Sequence, residues 1–282
     1  MSLSLSSIRY LAWVHKHYFL DGPVLLLGRQ MIFGRDIDVA WAIKEQDIEP
    51  LKVDLYQSTP NIPGLDVGKY GQYTNDVYTF KMLLGDVEVD ALDISDYQGA
   101  NLIVDLEKKL PRKLLNRYGL IIDAGTLEHI LDVKTAVSNL INCLKPGGHI
   151  IHMSPSCGYL DHGFYQFSPS FFYKFYSDFG LNIIDMTIVE QPIRRTNHKQ
   201  WNFFKWDPSL YRKKFISNEL MSVFCVVSNG KVGRGQHRFL LCFEEYLTQS
   251  QNKENIETRP WGLNPICQLS PRDNYPIIDV EG

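Results

Sequence analysis

The chain lacks paired cysteines. No Cys-x-x-Cys occurs, and the five cysteines are odd in number and scattered, at Cys143, Cys157, Cys225, Cys242 and Cys267. This spacing argues against a disulfide framework and against a zinc site built from closely spaced thiolates. We therefore predict no metal site, and a cytoplasmic location fits the free thiols.

The chain also lacks a charge excess and a long hydrophobic run. It has 29 basic and 32 acidic residues, for a formal net charge of −3, which gives no electrostatic reason to expect nucleic acid. The apolar stretch 8–20 is interrupted by four basic or polar side chains, and no stretch approaches the roughly 18 apolar residues of a membrane span. We expect no nucleic-acid partner and no membrane insertion. The sequence gives no indication of an oligomeric state.

Hydrophobic residues, in contrast, make up 44% of the sequence, enough for a sizeable core. Three apolar runs, 87–95, 118–125 and 144–151, each end in an acid, a glycine or a tight turn. Parallel strands buried on both faces show this pattern, and ligands bind at their carboxyl ends. The runs therefore predict an open α/β sheet.

Helices and strands are predicted to alternate along most of the chain. Periodicity and end signals predict helices over 8–19 (capped by Ser6 or Ser7), 35–46, 76–84, 133–144 and 168–179. Strands are predicted at 24–27, 87–92, 102–104, 120–122, 149–153, 182–189 and 222–227. A loop is expected over 54–73, and one more helix over 238–248. Such alternation favours a parallel sheet with helices on both faces.

The acid-ended runs, with the Lys145-Pro-Gly-Gly148 turn before the last of them, resemble the class I S-adenosylmethionine (SAM) dependent methyltransferases. The resemblance implies a Rossmann-like, seven-stranded, mostly parallel sheet. It also implies SAM as the cofactor and a small-molecule or glycan acceptor. The stretch 192–216, with two tryptophans and many basic residues, predicts an aromatic-rich insert before the last strand. We expect an N-terminal helix (1–21), a methyltransferase domain (22–248) and a tail (249–282). The domain would contain an insertion at about 35–73 and the substrate-side insert at about 192–216.

In this family a carboxylate at the end of the second strand accepts hydrogen bonds from the two ribose hydroxyls of the cofactor. Asp93 matches it, with Ile94 beside it in the cofactor site; Asp96 is its main rival, and a turn-forming role is the alternative. Asp105 and Leu106 resemble the pair that holds adenine, although Asp105 also suits a solvated turn.

The segment after the fourth strand would lie along the cofactor. Asp123, Ala124 and Gly125 are predicted to contact it, because small residues let the backbone approach a ligand. Glu128-His129 resembles a Leu-Glu-His step of the family beside the SAM methionine or the acceptor. His129 is assigned to the cofactor, with a packing role as the alternative.

The loop after the first strand departs from the family. Many members carry Gly-x-Gly-x-Gly there, whereas this chain has Gly28 followed by Arg29 and Gln30. We assign all three to the cofactor, with Arg29 pairing with the SAM carboxylate; a surface arginine is the alternative. The departure leaves open a methyltransferase-like binding protein without activity. A NAD(P)-dependent oxidoreductase is less favoured, because no Gly-x-Gly-x-x-Gly follows the first strand.

The segment after the fifth strand resembles His-Gly-Phe-Tyr-Gln-Phe-Ser-Pro segments of small-molecule and glycan-tailoring methyltransferases. His162 is the predicted general base toward an acceptor hydroxyl, because the imidazole pKa suits neutral pH, and Tyr165 is placed with it. Gln166 would orient the acceptor, together with Arg194 and Trp201 of the insert. Aromatic packing is the alternative for all of them. The expected reaction is methylation of a hydroxyl.

Overall fold

An eight-stranded mixed sheet forms the centre of the computed structural model, which describes residues 2–53, 73–192, 201–207 and 217–230. The helices are α1 (Leu5–Tyr18), α2 (Asp36–Lys44), α3 (Asp76–Leu84), α4 (Val133–Cys143) and α5 (Pro169–Asp178). The strands are β1 (Ser2–Ser4), β2 (Val24–Leu27), β3 (Met31–Phe33), β4 (Tyr73–Asn75), β5 (Val89–Asp93), β6 (Leu102–Ile103), β7 (Tyr118–Asp123), β8 (Leu144–Cys157), β9 (Asn182–Gln191), β10 (Asn202–Lys205) and β11 (Leu220–Ser228).

The strand order of the large sheet indicates the edge at which a ligand is expected to bind. The order is β10-β9-β11-β8-β7-β2-β5-β6, and the five strands from β8 to β6 are parallel. The chain runs from β2 outward to β5 and β6, then returns to β7 and β8 on the other side of β2. Ligands of open α/β sheets bind outside the carboxyl ends of the strands where the order reverses in this way. We call the ends of β2, β5, β7 and β8 the carboxyl edge.

The prediction of seven strands is wrong by one strand. The additional strand, β10, pairs antiparallel with β9 at the sheet margin and comes from the aromatic insert. Phe203 lies in the core on one face, whereas its neighbour Phe204 packs against the core on the other. This alternation is the period of a half-buried strand, but it covers only four residues and is difficult to read from sequence.

Helices cover both faces of the sheet, as predicted. Val24 and Leu26 of β2 pack in one core cluster with residues of α1, α2 and α3. Leu25 and Leu27, which point to the opposite face, pack with residues of α4 and α5. All four side chains are fully buried, which explains why β2 reads as an uninterrupted apolar run.

A second, three-stranded sheet was not predicted. It has the order β1-β3-β4, with β1 parallel to β3 and β4 antiparallel to it. Its strands have three residues each, too few to show a period. The helix that follows β1 begins at Leu5 and not at Ile8, because Ser4 accepts the N–H of Ser7 at 3.1 Å as its cap.

Among the described residues, no helix is long and apolar enough to cross a bilayer. Most of the predicted 54–73 loop, the predicted helix over 238–248 and the tail at 249–282 lie outside the described residues. The divisions at 1–21 and 22–248 stay predictions, although α1 packs into the core of the large sheet.

Candidate active site

The loops after β2, β5 and β7 meet at the carboxyl edge. Gly28 has φ 74°, a left-handed conformation that favours glycine, and its N–H donates to Leu92 O at 2.7 Å. The hydroxyl of Thr126 donates to Leu27 O at 2.8 Å, which ties the loop after β7 to the end of β2. The strand order predicts that a ligand binds beside these loops.

Arg29 is buried and paired within the protein. Its Nη1 lies 3.3 Å from Asp76 Oδ1 and its Nε donates to Gly99 O at 3.1 Å, while the N–H of Gln30 donates to Asp76 Oδ2 at 2.8 Å. Burial raises the pKa of Asp76, and the adjacent guanidinium opposes that shift. The pair joins the loop after β2 to the start of α3. The predicted contact of Arg29 with the carboxylate of SAM therefore competes with an internal carboxylate.

Asp93 stands at the end of β5, partly buried, with a carboxylate available to a ligand. Oδ1 accepts the N–H of Ser95 at 3.2 Å, and within the described part of the chain Oδ2 has no hydrogen-bond partner. Ile94 beside it is 72% exposed. Asp96 is exposed. The arrangement fits a carboxylate that binds a diol, with an apolar side chain alongside.

Asp105 and Leu106 are placed differently from the prediction. Asp105 pairs with Lys108 at 2.9 Å and accepts the N–H of Glu107, and this pairing lowers the pKa of Asp105. Leu106 is buried in the core. It lies beside α4, where Asn139 donates to the Leu106 carbonyl at 2.8 Å. Both residues thus serve a local turn, and their contact with adenine stays a prediction.

The Asp123 side chain is fully buried and belongs to an internal hydrogen-bond network. Its Oδ2 lies 2.8 Å from His152 Nδ1, and His152 Nε2 lies 2.5 Å from the hydroxyl of Tyr176. Burial raises the pKa of Tyr176 well above its ordinary value, so this tyrosine is a neutral donor. A tyrosine that donates to Nε2 leaves Nδ1–H to donate to Asp123. We call these three residues the Asp-His-Tyr network.

The network holds the loop that follows β7. Asp123 Oδ1 accepts the N–H groups of Thr126 at 3.1 Å and Leu127 at 3.3 Å, at the start of the 3₁₀ turn Leu127–His129. Between Asp123 and Thr126 in the sequence, Ala124 is buried and Gly125 has φ 94°. The ligand contact predicted for Asp123 would therefore have to come from its backbone.

Glu128 and His129 of the 3₁₀ turn lie close to His162, which belongs to the segment after β8. Glu128 Oε1 lies 3.5 Å from His162 Nε2 and 3.9 Å from His129 Nε2, and the two imidazole rings are 5.3 Å apart. The Glu128 side chain is buried, whereas His129 and His162 are about half exposed. Burial raises the pKa of Glu128 to about 7, and the charge of Asp123 acts in the same direction. Burial lowers the pKa of His129, and the neighbouring imidazole of His162 acts in the same direction. We call these three residues the Glu-His-His cluster.

A close backbone approach fixes the spacing of the cluster. The N–H of Phe164 donates to Glu128 O at 2.6 Å, and a Cβ on Gly163 would lie 2.7 Å from the same oxygen. Only glycine fits there without a shift of the backbone. The segment after β8 is thereby held against the segment after β7.

The other residues that were predicted to contact the methyl acceptor lie around the cluster. The hydroxyl of Tyr165 donates to Leu131 O at 2.7 Å, so it is engaged in packing. Gln166 accepts the N–H of Tyr159 at 3.1 Å. Tyr159, which sequence reasoning missed, lies 5.6 Å from the His162 ring, and its hydroxyl donates to Gln191 at 2.6 Å. The ring of Tyr159 therefore lies near the cluster, whereas its hydroxyl is already hydrogen-bonded to Gln191.

The structure describes one of the two insert residues that were predicted to contact the methyl acceptor. Trp201 is partly buried, 6.5 Å from the ring of Phe203, just before β10 begins. The register of β9 and β10 puts this residue at the carboxyl edge, because Asn202 pairs with Glu190 near the end of β9. Arg194 lies outside the described residues.

Sequence reasoning also missed the Asp-His-Tyr network. His152 stands in an apolar strand and Tyr176 in an amphipathic helix, and neither belongs to a local motif. One signal was present: a histidine in the middle of a strand buried on both faces needs a polar partner. The identity of that partner depends on the pairing of β7 with β8, which sequence alone does not give.

Comparison with known proteins returned structural similarities only. No protein-family model matches the chain, and no curated protein sequence matches it. A Burkholderia thailandensis 1,6-didemethyltoxoflavin-N1-methyltransferase, solved with 1,6-didemethyltoxoflavin and S-adenosylhomocysteine, is similar at 13% identity and a TM-score of 0.40, covering 80% of each chain. A SAM-dependent methyltransferase from Aquifex aeolicus is similar at 13% identity and a TM-score of 0.36, covering 79% of this chain and 97% of the other. The proposal below rests on this chain's own strand order and site residues.

Proposed function

We propose that the protein is a SAM-dependent methyltransferase that methylates a hydroxyl group of a small molecule, sugar or glycan precursor. The observation that carries this proposal is the carboxyl edge. There the strand order reverses, and Gly28, Asp93 and the Glu-His-His cluster follow four strands of one sheet. A carboxylate for a ribose and proton-accepting groups for an acceptor are both available at that edge.

The chain's residues fit the cofactor at two points. Asp93 offers a carboxylate oxygen without a described partner to a diol, and Ile94 offers an exposed apolar surface beside it. Gly28 allows the backbone to approach a ligand closely. When bound, SAM supplies a methyl group already activated by its positively charged sulfur.

The acceptor would lie over the Glu-His-His cluster. In an O-methylation the acceptor oxygen bonds to the methyl carbon, the sulfur–methyl bond breaks and the hydroxyl proton leaves. His162 is half exposed and faces this position, so its imidazole is placed to take that proton. Most of the catalysis would come from holding the acceptor in line with the methyl group.

Asp93→Ala should weaken SAM binding by about 1.5–3 kcal/mol, the range for hydrogen bonds to charged groups, or roughly 10- to 150-fold in Kd. Asp96→Ala is the matched control, because Asp96 is exposed three residues away, and its Kd should be unchanged. Titration calorimetry with SAM and with S-adenosylhomocysteine measures both variants. NAD should give no heat. Equal losses in the two variants, or no binding of SAM to the wild type, would contradict the proposed cofactor site.

His162→Ala should lower turnover by about 10²-fold or more and leave SAM affinity nearly unchanged, because the residue faces the acceptor and not the cofactor. Formation of S-adenosylhomocysteine, followed by mass spectrometry across a panel of hydroxylated metabolites and sugars, identifies an acceptor for the assay. A melting curve shows whether the variant is folded. A folded variant with normal turnover would exclude a role for His162 in the reaction.

A further inference from the structure

We propose that the Glu-His-His cluster binds a divalent first-row transition metal ion, Zn²⁺ being the representative case. One donor atom each from Glu128, His129 and His162 lies within 4.8 Å of the other two. Donors about 2.1 Å from an ion, as in zinc sites, are separated by about 3.0–3.4 Å. The 3.5 Å and 3.9 Å from Glu128 Oε1 to the two imidazole nitrogens are close to this range. Small rotations of the two exposed imidazole rings would complete the geometry.

The buried carboxylate is an independent observation that points to a cation. The Glu128 side chain is 1% exposed, and among the described residues neither of its oxygens accepts a hydrogen bond. A buried carboxylate without hydrogen bonds is costly, since nothing replaces the water that it loses. An ion at the cluster would provide the missing charge partner.

The donor set selects the kind of ion. Two imidazoles and one carboxylate suit zinc, iron, cobalt and nickel, whereas Mg²⁺ and Ca²⁺ prefer oxygen ligands. Three protein ligands leave at least one coordination position for water or substrate, as in catalytic zinc sites. The two histidines are about half exposed, so solvent or an acceptor can reach an ion held between them.

The consequence for the reaction rests on the function proposed above. An ion held here would bind the acceptor through its hydroxyl oxygen and stabilise the deprotonated form, with the proton passing to solvent water. His162 would then act on the acceptor as a metal ligand and not as the base. The metal would orient the acceptor, whereas SAM binding at Asp93 would not depend on it.

Metal binding can be measured directly on the full-length, untagged protein after chelator treatment and dialysis. Calorimetry with Zn²⁺ and visible absorption with Co²⁺ should each show one ion per chain, and Mg²⁺ should show none. His129→Ala, His162→Ala and Glu128→Gln should each weaken Zn²⁺ binding by at least about 10-fold, the loss usual even for residues that support a ligand. Glu128→Gln keeps the shape of the side chain, so its loss of affinity would not reflect unfolding.

His17→Ala is the matched control, because His17 is an exposed histidine on α1 outside the cluster, and its Zn²⁺ affinity should equal the wild-type value. Absence of Zn²⁺ and Co²⁺ binding, or binding that survives in the His129→Ala/His162→Ala double variant, would overturn the metal site. SAM titrated into the same metal-free protein separates the two proposals. SAM binding without metal binding refutes only the metal site, and metal binding without SAM binding refutes the cofactor assignment.

Discussion

Replacing Asp76 by alanine is expected to lower the free energy of unfolding by about 3–5 kcal/mol, because it leaves the buried guanidinium of Arg29 without its charge partner. Arg29 is 7% exposed and Asp76 is fully buried. Asp76 also accepts the N–H groups of Gln30 at 2.8 Å and Val77 at 2.7 Å. Denaturant unfolding of wild type and variant measures the difference.

Asp86→Ala is the matched control for this measurement. Asp86 pairs with Lys81 at 2.8 Å, but it is 95% exposed, and exposed ion pairs contribute little to stability. Equal small losses in the two variants would show that Arg29 finds water or another acceptor once Asp76 is removed. Arg29 would then also be available to a ligand carboxylate, and SAM affinity of Asp76→Ala would test that directly.

The sequence was a good guide to the elements of the large sheet. The predicted helix 76–84 has the bounds of α3, and every predicted strand overlaps an observed one. These segments are strongly apolar or carry clear end signals, such as Asn75, which accepts the N–H of Tyr78 as the helix cap. The three-residue strands and the edge strand β10 were missed, because their pairing depends on neighbours distant in sequence.

The candidate site was less readable, for the same reason. Arg29 was judged as a ligand contact from its place after Gly28, but its charge partner lies 47 residues away in α3. Glu128 and His162 each belonged to a recognisable segment. Their proximity came only from the packing of the segment after β8 against the segment after β7. The prediction of no metal site rested on the lack of a clustered motif and stays a prediction. The metal ligands proposed above come from two separate loops, and no local motif would show them.

Asp123→Ala should cost about 2–6 kcal/mol of folding free energy, because two buried donors lose their acceptor. Without the carboxylate, the N–H of Leu127 and the Nδ1–H of His152 lose their acceptor, and each buried unsatisfied group costs about 1–3 kcal/mol. Asp123→Asn should lose less, because its amide oxygen still accepts the N–H of Leu127. Denaturant unfolding at neutral pH measures the three proteins.

A double-mutant cycle with His152→Phe tests whether the Asp-His-Tyr network acts as a unit. A phenyl ring keeps the stacking of His152 on Phe172, whose centroid lies 4.7 Å away, but it removes both imidazole hydrogen bonds. The Asp123→Ala/His152→Phe variant should therefore lose less stability than the sum of the two single variants, since the first change leaves His152 with no carboxylate to lose. Additive losses would show that Asp123 stabilises the loop through its backbone contacts alone. In that case the orientation of Glu128 and His129 would not depend on His152, and the His152→Phe variant should match the wild type in the proposed metal binding and methyl transfer.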